Sequence, residues 1–587
     1  MAKGYRRVER DQVFLFPPSM RDWLPDGHPV WLVIGAVEAM DTRVFHDRRR
    51  LGGAGAAGYD PDMLVTVLTW AYAHQVTSSR RIEQLCQTDV AFRVICGGNL
   101  PDHTTIARFR GEFAGAAAVF FAEVLGLCAR LGMGKLGVVA LDGTKVAASA
   151  SKSANRTEDR LRKLAEETVA AHAAADAEED GLFGPGNRGD EVPGDAWSPR
   201  SRQERIAAAL RSMREDREAA EAQRQAAEAA RRQQAAEYLD AVTGIPRPGR
   251  PLAGTEVELA RRKLDRERAS RAAQLAELEG RYAAGQPRRG RPAGIEDYCR
   301  VVQAAAALER AVARQAAADA GQGRSDGTKG SKDTGRAPVR NITDPDSRLM
   351  PVRGGGFIQG YNAQNVVSED GLIIATTLTR DTGDVAWLTA MMQAAEAAAA
   401  FITVRHPAGS GHDHADGATA TSSGDRTGNS DDGGDTWRQA GYQPAGYAGP
   451  IGLLLADAGY CSEDNIAAPG PPRLIATGKR RDLEKTARHG SGEHTQSGQH
   501  TVAMAALLQT GDGITGYRHR GHISETPHGD IKHNKGFRQF SLRGHAKTSS
   551  EWQFTTATAN LFKAITSGHL TRTALDNLTA PASTPAT

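Results

Sequence analysis

Apolar residues recur every three or four positions between residues 61 and 130, then gather into short unbroken runs after residue 136. The first pattern predicts helices and the second predicts strands. PDMLVTVLTWAYAHQ (61–75) keeps the helical period. SSRRIEQLCQTDVAFRVI (78–95) opens on a serine cap and repeats it, and PDHTTIARFRGEF (101–113) reads as a turn into a short helix carrying Arg108 and Arg110. Residues 1–135 are therefore expected to form an all-helical N-terminal domain. Short helices tipped with arginine suit a DNA groove or phosphate backbone, and they equally suit a cap packed on the next domain.

LGVVALDGTKVAASA (136–150) changes the period: Leu136 to Leu141 are β-rich, and Asp142-Gly143 predicts a hairpin turn with Asp142 at a strand end. From 155 to 340 the composition shifts to Ala, Arg, Glu and Gln, which predicts long, mostly solvated helices, two of them an antiparallel pair. GLFGPGNRGDEVPGDAWSP (181–199) and GIPRPGRPLAG (244–254) break them, and GQGRSDGTKGSKDTGRAP (321–338) reads as a disordered linker. Strand character returns in 354–380, with SEDG as a hairpin turn. DVAWLTAMMQAAEAAAAFI (384–402) is a helix, IGLLLADAG (451–459) and RLIATGK (473–479) are strands, and the chain from Ile523 onward reads as helical. The fold class that follows is α/β, a mixed sheet flanked by helices. Its core is divided into 136–154, 341–404 and 438–570, with a disordered loop at 405–437 and a disordered tail at 571–587.

Composition adds little to this until its distribution is considered. Seventy-three Lys and Arg against seventy Asp and Glu leave a net charge of only +3. The bases cluster, however, at Arg48–Arg50, at Lys479–Arg481 and between Arg518 and Arg543, a stretch that includes Arg538. The five cysteines are scattered and form no CxxC pair, so neither a disulfide framework nor a zinc knuckle is indicated. No apolar run approaches the length of a bilayer crossing and the first residues lack the apolar centre of a signal peptide, which leads to the expectation of a cytoplasmic protein without a membrane partner. HDHAD (412–416) reads either as a metal site or as a solvated loop with incidental histidines.

The candidate chemistry lies where apolar strands run into acids. Asp142 and Asp457 each follow a buried run, which would hold a carboxylate rigidly with its oxygens free for a hard cation such as Mg²⁺. Asp-Gly and Asp-Ala-Gly are also common turn chemistry. A third acid, Glu525, sits in the basic stretch GYRHRGHISETPHGDIKHNKGFRQFSLRG (516–544). Tyr517 and Arg520 precede it and Lys532 follows seven positions later, two turns along the same face of a predicted helix.

In these blocks the chain resembles bacterial insertion-sequence transposases of the DDE class. The resemblance is carried by residues 78–110, VVALDGTKVAASASKSANRT (138–157), DPDSRLMP (344–351) with GGGFIQGYNAQNVV, LLADAGYCSEDN (454–465) and ETPHGDIKHNKGFRQFSLRG (525–544). It implies a ribonuclease-H-like core with Asp142, Asp457 and Glu525 as catalytic triad and metal ligands. Tyr517, Arg520 and Lys532 would be the C-terminal signature partners. It further implies two Mg²⁺ ions, replaceable by Mn²⁺, double-stranded DNA at transposon ends and target, and a homodimer assembled on DNA. The chain departs from the family pattern at Ser524, at His528-Gly529 where Phe-Gly is usual, and in the longer step from Arg520 to Glu525. Residues 487–513 look like an insertion. Two other readings stay open: a DNA-binding descendant without catalysis, and a metal-dependent nuclease that cuts without joining.

Overall fold

A computed structural model describes residues 19–47, 58–112, 115–167, 199–241, 254–287, 290–322, 338–352, 355–407, 436–444, 446–478 and 498–579. Most of both expected breakers, most of the expected linker, the HDHAD segment and the basic clusters Arg48–Arg50 and Lys479–Arg481 lie outside these residues. The chain divides into two units, residues 1–209 with 339–587, and residues 210–338.

In the first unit the helical period of 61–130 is realised. Helices α1 (Pro29–Glu38), α2 (Arg43–His46), α3 (Pro61–Ala73), α4 (Ser79–Thr88), α5 (Val90–Cys96), α6 (His103–Gly111) and α7 (Ala116–Arg130) follow in order. Aspartates start three of them: Asp60 accepts from Asp62 N–H, Asp89 from Phe92 N–H, and Asp102 from the N–H groups of Thr104 and Thr105. Ser78, the expected cap of α4, makes no capping hydrogen bond. These helices do not form a core of their own. Val65, Leu68, Phe120 and Val124 belong to the same buried apolar cluster as the sheet residues Val138–Leu141 and Leu453–Ala456.

The sheet contains β1 (Val138–Ala147), β4 (Arg348–Pro351), β5 (Phe357–Ser368), β6 (Ile373–Thr379), β7 (Leu453–Ala456) and β8 (Arg473–Ile475). β1 is central, with β5 antiparallel on one side and β7 then β8 parallel on the other. β4 and β6 share the far edge of β5. The expected hairpin at Asp142-Gly143 is absent. β1 runs straight through both residues because β5 pairs with it throughout, Asp142 facing Asn365 and Gly143 facing Gln364. Continuous ladder pairing outweighs the local turn preference of Asp-Gly. The SEDG turn between β5 and β6 forms as expected, with Gly371 at φ +83°.

Helices α11 (Leu388–Arg405), α14 (Gly511–Gly529) and α15 (His545–Thr566) flank the sheet, and α16 (Arg572–Thr579) follows where a disordered tail was expected. Residues 499–507, inside the expected insertion, form helix α13 (Gln499–Leu507). Contrary to the sequence expectation, Val385–Arg405 is long and apolar enough to cross a membrane. Its Leu388, Met391, Met392, Ala395, Ala399 and Ile402 are buried in the apolar cluster, as in a core helix. The edge of β6 is closed by a side chain, Asn560 of α15, which accepts from Ile373 N–H and donates to Ile373 C=O.

Residues 155 and 341 are joined by a small antiparallel ladder, β2 (Asn155–Thr157) with β3 (Val339–Asn341), at the two ends of the long insertion. Helix α8 (Pro199–Ala241) crosses the division between the units. In the second unit α9 (Glu256–Ala283) and α10 (Cys299–Gln322) pair antiparallel, as the composition led one to expect: Leu264 packs with Val301 and Ala304, and Arg268 meets Glu296 at 2.9 Å.

Buried Glu551 ties the N-terminal helices to the sheet unit. It accepts from Tyr72 Oη of α3 at 2.9 Å and from the N–H groups of Ser541 and Leu542, both at 3.0 Å. Glu551→Ala is expected to destabilise the protein by roughly 3 kcal/mol, because the buried Tyr72 hydroxyl and the half-buried donors of Ser541 and Leu542 lose their acceptor. Glu551→Gln, which keeps one acceptor oxygen, should cost less; denaturant midpoints compare the two.

Candidate active site

Parallel pairing of β1 and β7 ends at Leu141 opposite Ala456. The next residues are Asp142 and Asp457, so two acids sit at the same level on neighbouring strands, whose spacing is about 4.8 Å. β1 continues past this point while β7 stops. There Asp457 caps the turn Ala458–Tyr460, its Oδ1 accepting from Gly459 N–H at 2.8 Å. Asp142 Oδ1 accepts from Gly143 N–H at 2.9 Å. Turn chemistry thus occupies one oxygen of Asp457 and leaves the carboxylate beside Asp142.

Helix α14 lies over the Asp142 side of β1. Its approach depends on a small residue, since a Cβ at Gly516 would press on Leu474 and Trp437 at 3.3 Å; a Cβ at Gly513 would fall 2.0 Å from Leu507 O in the turn that enters the helix. Tyr517, Arg520, Ser524 and His528 recur at helical spacing along one face. Arg520 Nη1 is 3.6 Å and His528 Nδ1 3.9 Å from Asp142 Oδ2, both beyond hydrogen-bond range. Arg520 Nη1 and Ser524 Oγ are buried with no hydrogen-bond partner in ordinary range, although Ser524 lies close enough to Asp142 to draw its carboxyl down. Burial pushes the Asp142 carboxyl up to about 6; Arg520 opposes the shift and the charge of Asp457 adds to it. Burial also pushes the Tyr517 phenol up to about 12, against the pull of Arg520. Two adjacent acids, one of them desolvated and neither hydrogen-bonded to a cation, form a donor set that suits a hard divalent ion.

The structure brings together some of the expected residues and separates others. Glu525 is exposed, one position along the helix from Ser524, and its charge acts on Arg520, though it does not form with Asp142 and Asp457 a group whose ligand atoms lie within 4.8 Å of one another. Among the described residues the group of three whose ligand atoms lie within 4.8 Å of one another is His46, Asp60 and Asp62, where His46 already meets Asp62 at 2.9 Å. Lys532 lies beyond the α-helix that carries Glu525. α14 ends at Gly529 after an internal Pro527 and passes into the π-helical turn Asp530–Asn534, which changes the angular step. Lys532 Nζ consequently donates to Thr144 Oγ1 and to Lys145 C=O, pinning α14 to β1. Arg538 is exposed and donates to Lys532 C=O at 3.1 Å. In the N-terminal helices Arg108 is exposed, but Arg110 is buried and spends its guanidinium on Thr77 C=O and Ser79 Oγ, so it is not available to DNA.

Sequence reasoning missed the polar residues of β5. Asn362, Gln364 and Asn365 are fully buried in the middle of a strand. The string NAQN inside an otherwise apolar run was the available signal. Asn362 and Gln364 both donate to Asp384 Oδ1 at 2.7 Å. Asp384 lies under Gly143, where an added Cβ would fall 2.7 Å from its Oδ1, and its Oδ2 would be 3.2 Å from a Cβ at Gly459. Residues alternate sides along a strand, so Asp384 supports the Asp457 turn from the face opposite Asp142.

Comparison with known families gives two matches. Residues 18–112 match the Transposase domain (DUF772) and residues 479–565 match the Transposase DDE domain. No curated protein and no solved structure matches the chain. Both matched domains are transposase domains, and together they support an insertion-sequence DDE transposase. The second match spans Tyr517, Arg520, Glu525, Lys532 and Arg538, whereas Asp142 and Asp457 lie before it.

The raised Asp142 carboxyl has a measurable sign. Its ionised form is the costlier one in the folded chain. The stability it contributes is full below its unfolded pKa and is lost as pH rises through about 6. With divalent ions chelated, the wild-type chain is expected to lose stability relative to Asp142→Asn over that rise, by on the order of 2 kcal/mol. Thermal melts across the range test this, and parallel curves for the two proteins would contradict the burial assigned to Asp142.

Proposed function

We propose that this chain binds the terminal inverted repeats of an insertion sequence and catalyses metal-dependent DNA strand cleavage and strand transfer. The observation that carries the proposal is the level placement of Asp142 and Asp457 on adjacent parallel strands, beneath a helix contained in the DDE-domain match. A central strand with one antiparallel neighbour and two successive parallel ones supports reading the core as ribonuclease-H-like.

In this reading Asp142 and Asp457 would hold Mg²⁺, or Mn²⁺ in its place, with Glu525 of α14 as the third carboxylate. Two bound ions supply activation of a water or 3′-hydroxyl and charge stabilisation at the departing oxygen. The remaining work falls to the chain's own side chains. Arg520 stands 3.6 Å from Asp142, and Tyr517 lies on the same face, close enough for the guanidinium to act on its phenol. Lys532 fixes the end of α14 on β1 with two of its three donors and leaves one for a phosphate. Exposed Arg538 and Arg108 contact backbone phosphates, which position DNA without reading sequence. Joining two element ends to one target calls for two protomers, so the working form is a homodimer on DNA, acting at the nucleoid in the cytoplasm.

Asp457→Asn is expected to bind element-end DNA as the wild type does and to lose Mg²⁺- or Mn²⁺-dependent cleavage. Binding by both proteins should weaken steeply with salt. Incubation with labelled ends and a plasmid target reads binding, cleavage and joining together. Loss of binding and cleavage alike in a folded variant would sink the ligand assignment, and cleavage without joined product would favour a nuclease.

A further inference from the structure

We infer that His528 is a positioning residue for Asp142, held as the Nδ1–H tautomer by a buried line of hydrogen bonds that begins at Trp552. This rests on the reading of Asp142 as a metal ligand. Trp552 Nε1–H donates to Thr376 Oγ1 at 2.8 Å, Thr376 Oγ1–H donates to Asn365 Oδ1 at 2.6 Å, and Asn365 Nδ2–H donates to His528 Nε2 at 2.9 Å. An indole N–H can only donate, so the direction is set at that end. Reversing the Asn365 amide would leave the Thr376 hydroxyl hydrogen without an acceptor in this line. It would also turn the unprotonated Nδ1 toward a carboxylate. The ring therefore accepts at Nε2 and carries its single proton on Nδ1, which lies 3.9 Å from Asp142 Oδ2. Trp552 and Asn365 are fully buried, His528 is 8% exposed and Thr376 is half-buried, so the two ends of the line are shielded from water.

Asp142 and Asn365 are directly paired across β1 and β5, and Thr376 faces Asn365 across β5 and β6. Cross-strand partners share one side of a sheet, so three strands contribute one residue each beneath α14. The result at Asp142 is a fixed dipole in place of a further cation. Arg520 already stands beside the carboxylate, and a second positive charge there would compete with the ions the site is proposed to hold. A neutral N–H dipole facing Oδ2 at 3.9 Å attracts it without neutralising it. Groups behind a metal-ligating carboxylate typically change metal affinity about 10- to 100-fold when removed.

The test is Mn²⁺ binding by the purified full-length chain without DNA, followed by calorimetry. An Asn amide at position 528 reaches the place of Nδ1, and a Gln amide the place of Nε2. His528→Gln is expected to weaken Mn²⁺ binding by about 10- to 100-fold while His528→Asn stays within a few-fold of wild type. Thr376→Val, which breaks the line two groups away from the ring, should weaken it in the same direction. Wild-type affinity in His528→Gln and Thr376→Val, or equal loss in His528→Asn and His528→Gln, would overturn the inference. Asp142→Asn separates the two levels of the argument: if it binds Mn²⁺ as tightly as wild type, the metal-ligand reading itself fails. Normal loss in Asp142→Asn together with unaffected His528→Gln refutes the positioning role alone.

Discussion

Four parallel residue pairs between β1 and β7 force two like charges to stand side by side. Nothing in folding alone rewards that arrangement. Leu453 to Ala456 and Val138 to Leu141 are completely buried, so the strands cannot slide apart or shift register without exposing the centre of the core. Repulsion between Asp142 and Asp457 is therefore carried by the apolar cluster around them. Strain of this kind concentrates where a ligand relieves it.

The polar groups near the pair relieve it only in part. Arg520 and His528 stop short of hydrogen-bond contact with Asp142, and Lys532 turns its ammonium to Thr144 and Lys145. Their placement follows from packing: Gly516 lets α14 sit low against Leu474 of the sheet, and the π-helical turn after Gly529 brings Lys532 back to β1. Elsewhere in the same unit, buried acids are fully satisfied. Glu551 accepts from two N–H groups and a phenol, and Asp344 accepts from both Tyr361 and Gly544. The contrast marks the Asp142 site as the place where this fold keeps negative charge unspent.

What sequence showed depended on how local the determining interaction was. The runs before Asp142 and Asp457, the SEDG turn, the α11 helix and the antiparallel α9–α10 pair are set within a few dozen residues, and pattern reached all of them. The hairpin at Asp142-Gly143 failed because the true partner strand, β5, lies more than two hundred residues on. Glu525 and Lys532 were placed on one face by assuming an unbroken α-helix, which Pro527 and the π turn interrupt. Arg110 read as a surface base because its acceptors, Thr77 and Ser79, come from an earlier helix junction. His528 and Asp384 acquire meaning only from residues on β5, so no spacing along the chain could have indicated them.

The insertion between the first strands and the rest of the core follows the same logic of locality. β1 and β5 are neighbours, yet residues 158–338 intervene between the small strands β2 and β3 that close its base. Asn341, fully buried, reinforces the closure by donating to Ser151 C=O at 2.7 Å. Closing a loop costs entropy that grows only with the logarithm of its length, each doubling adding about 0.6 kcal/mol. Once a short ladder fixes both ends, the intervening chain can lengthen at little expense to the pairing of β1 with β5. Both family matches leave this stretch out. The register that sets Asp142 opposite Asn365 and level with Asp457 is thus insulated from the part of the sequence where composition departs furthest from that of a packed core.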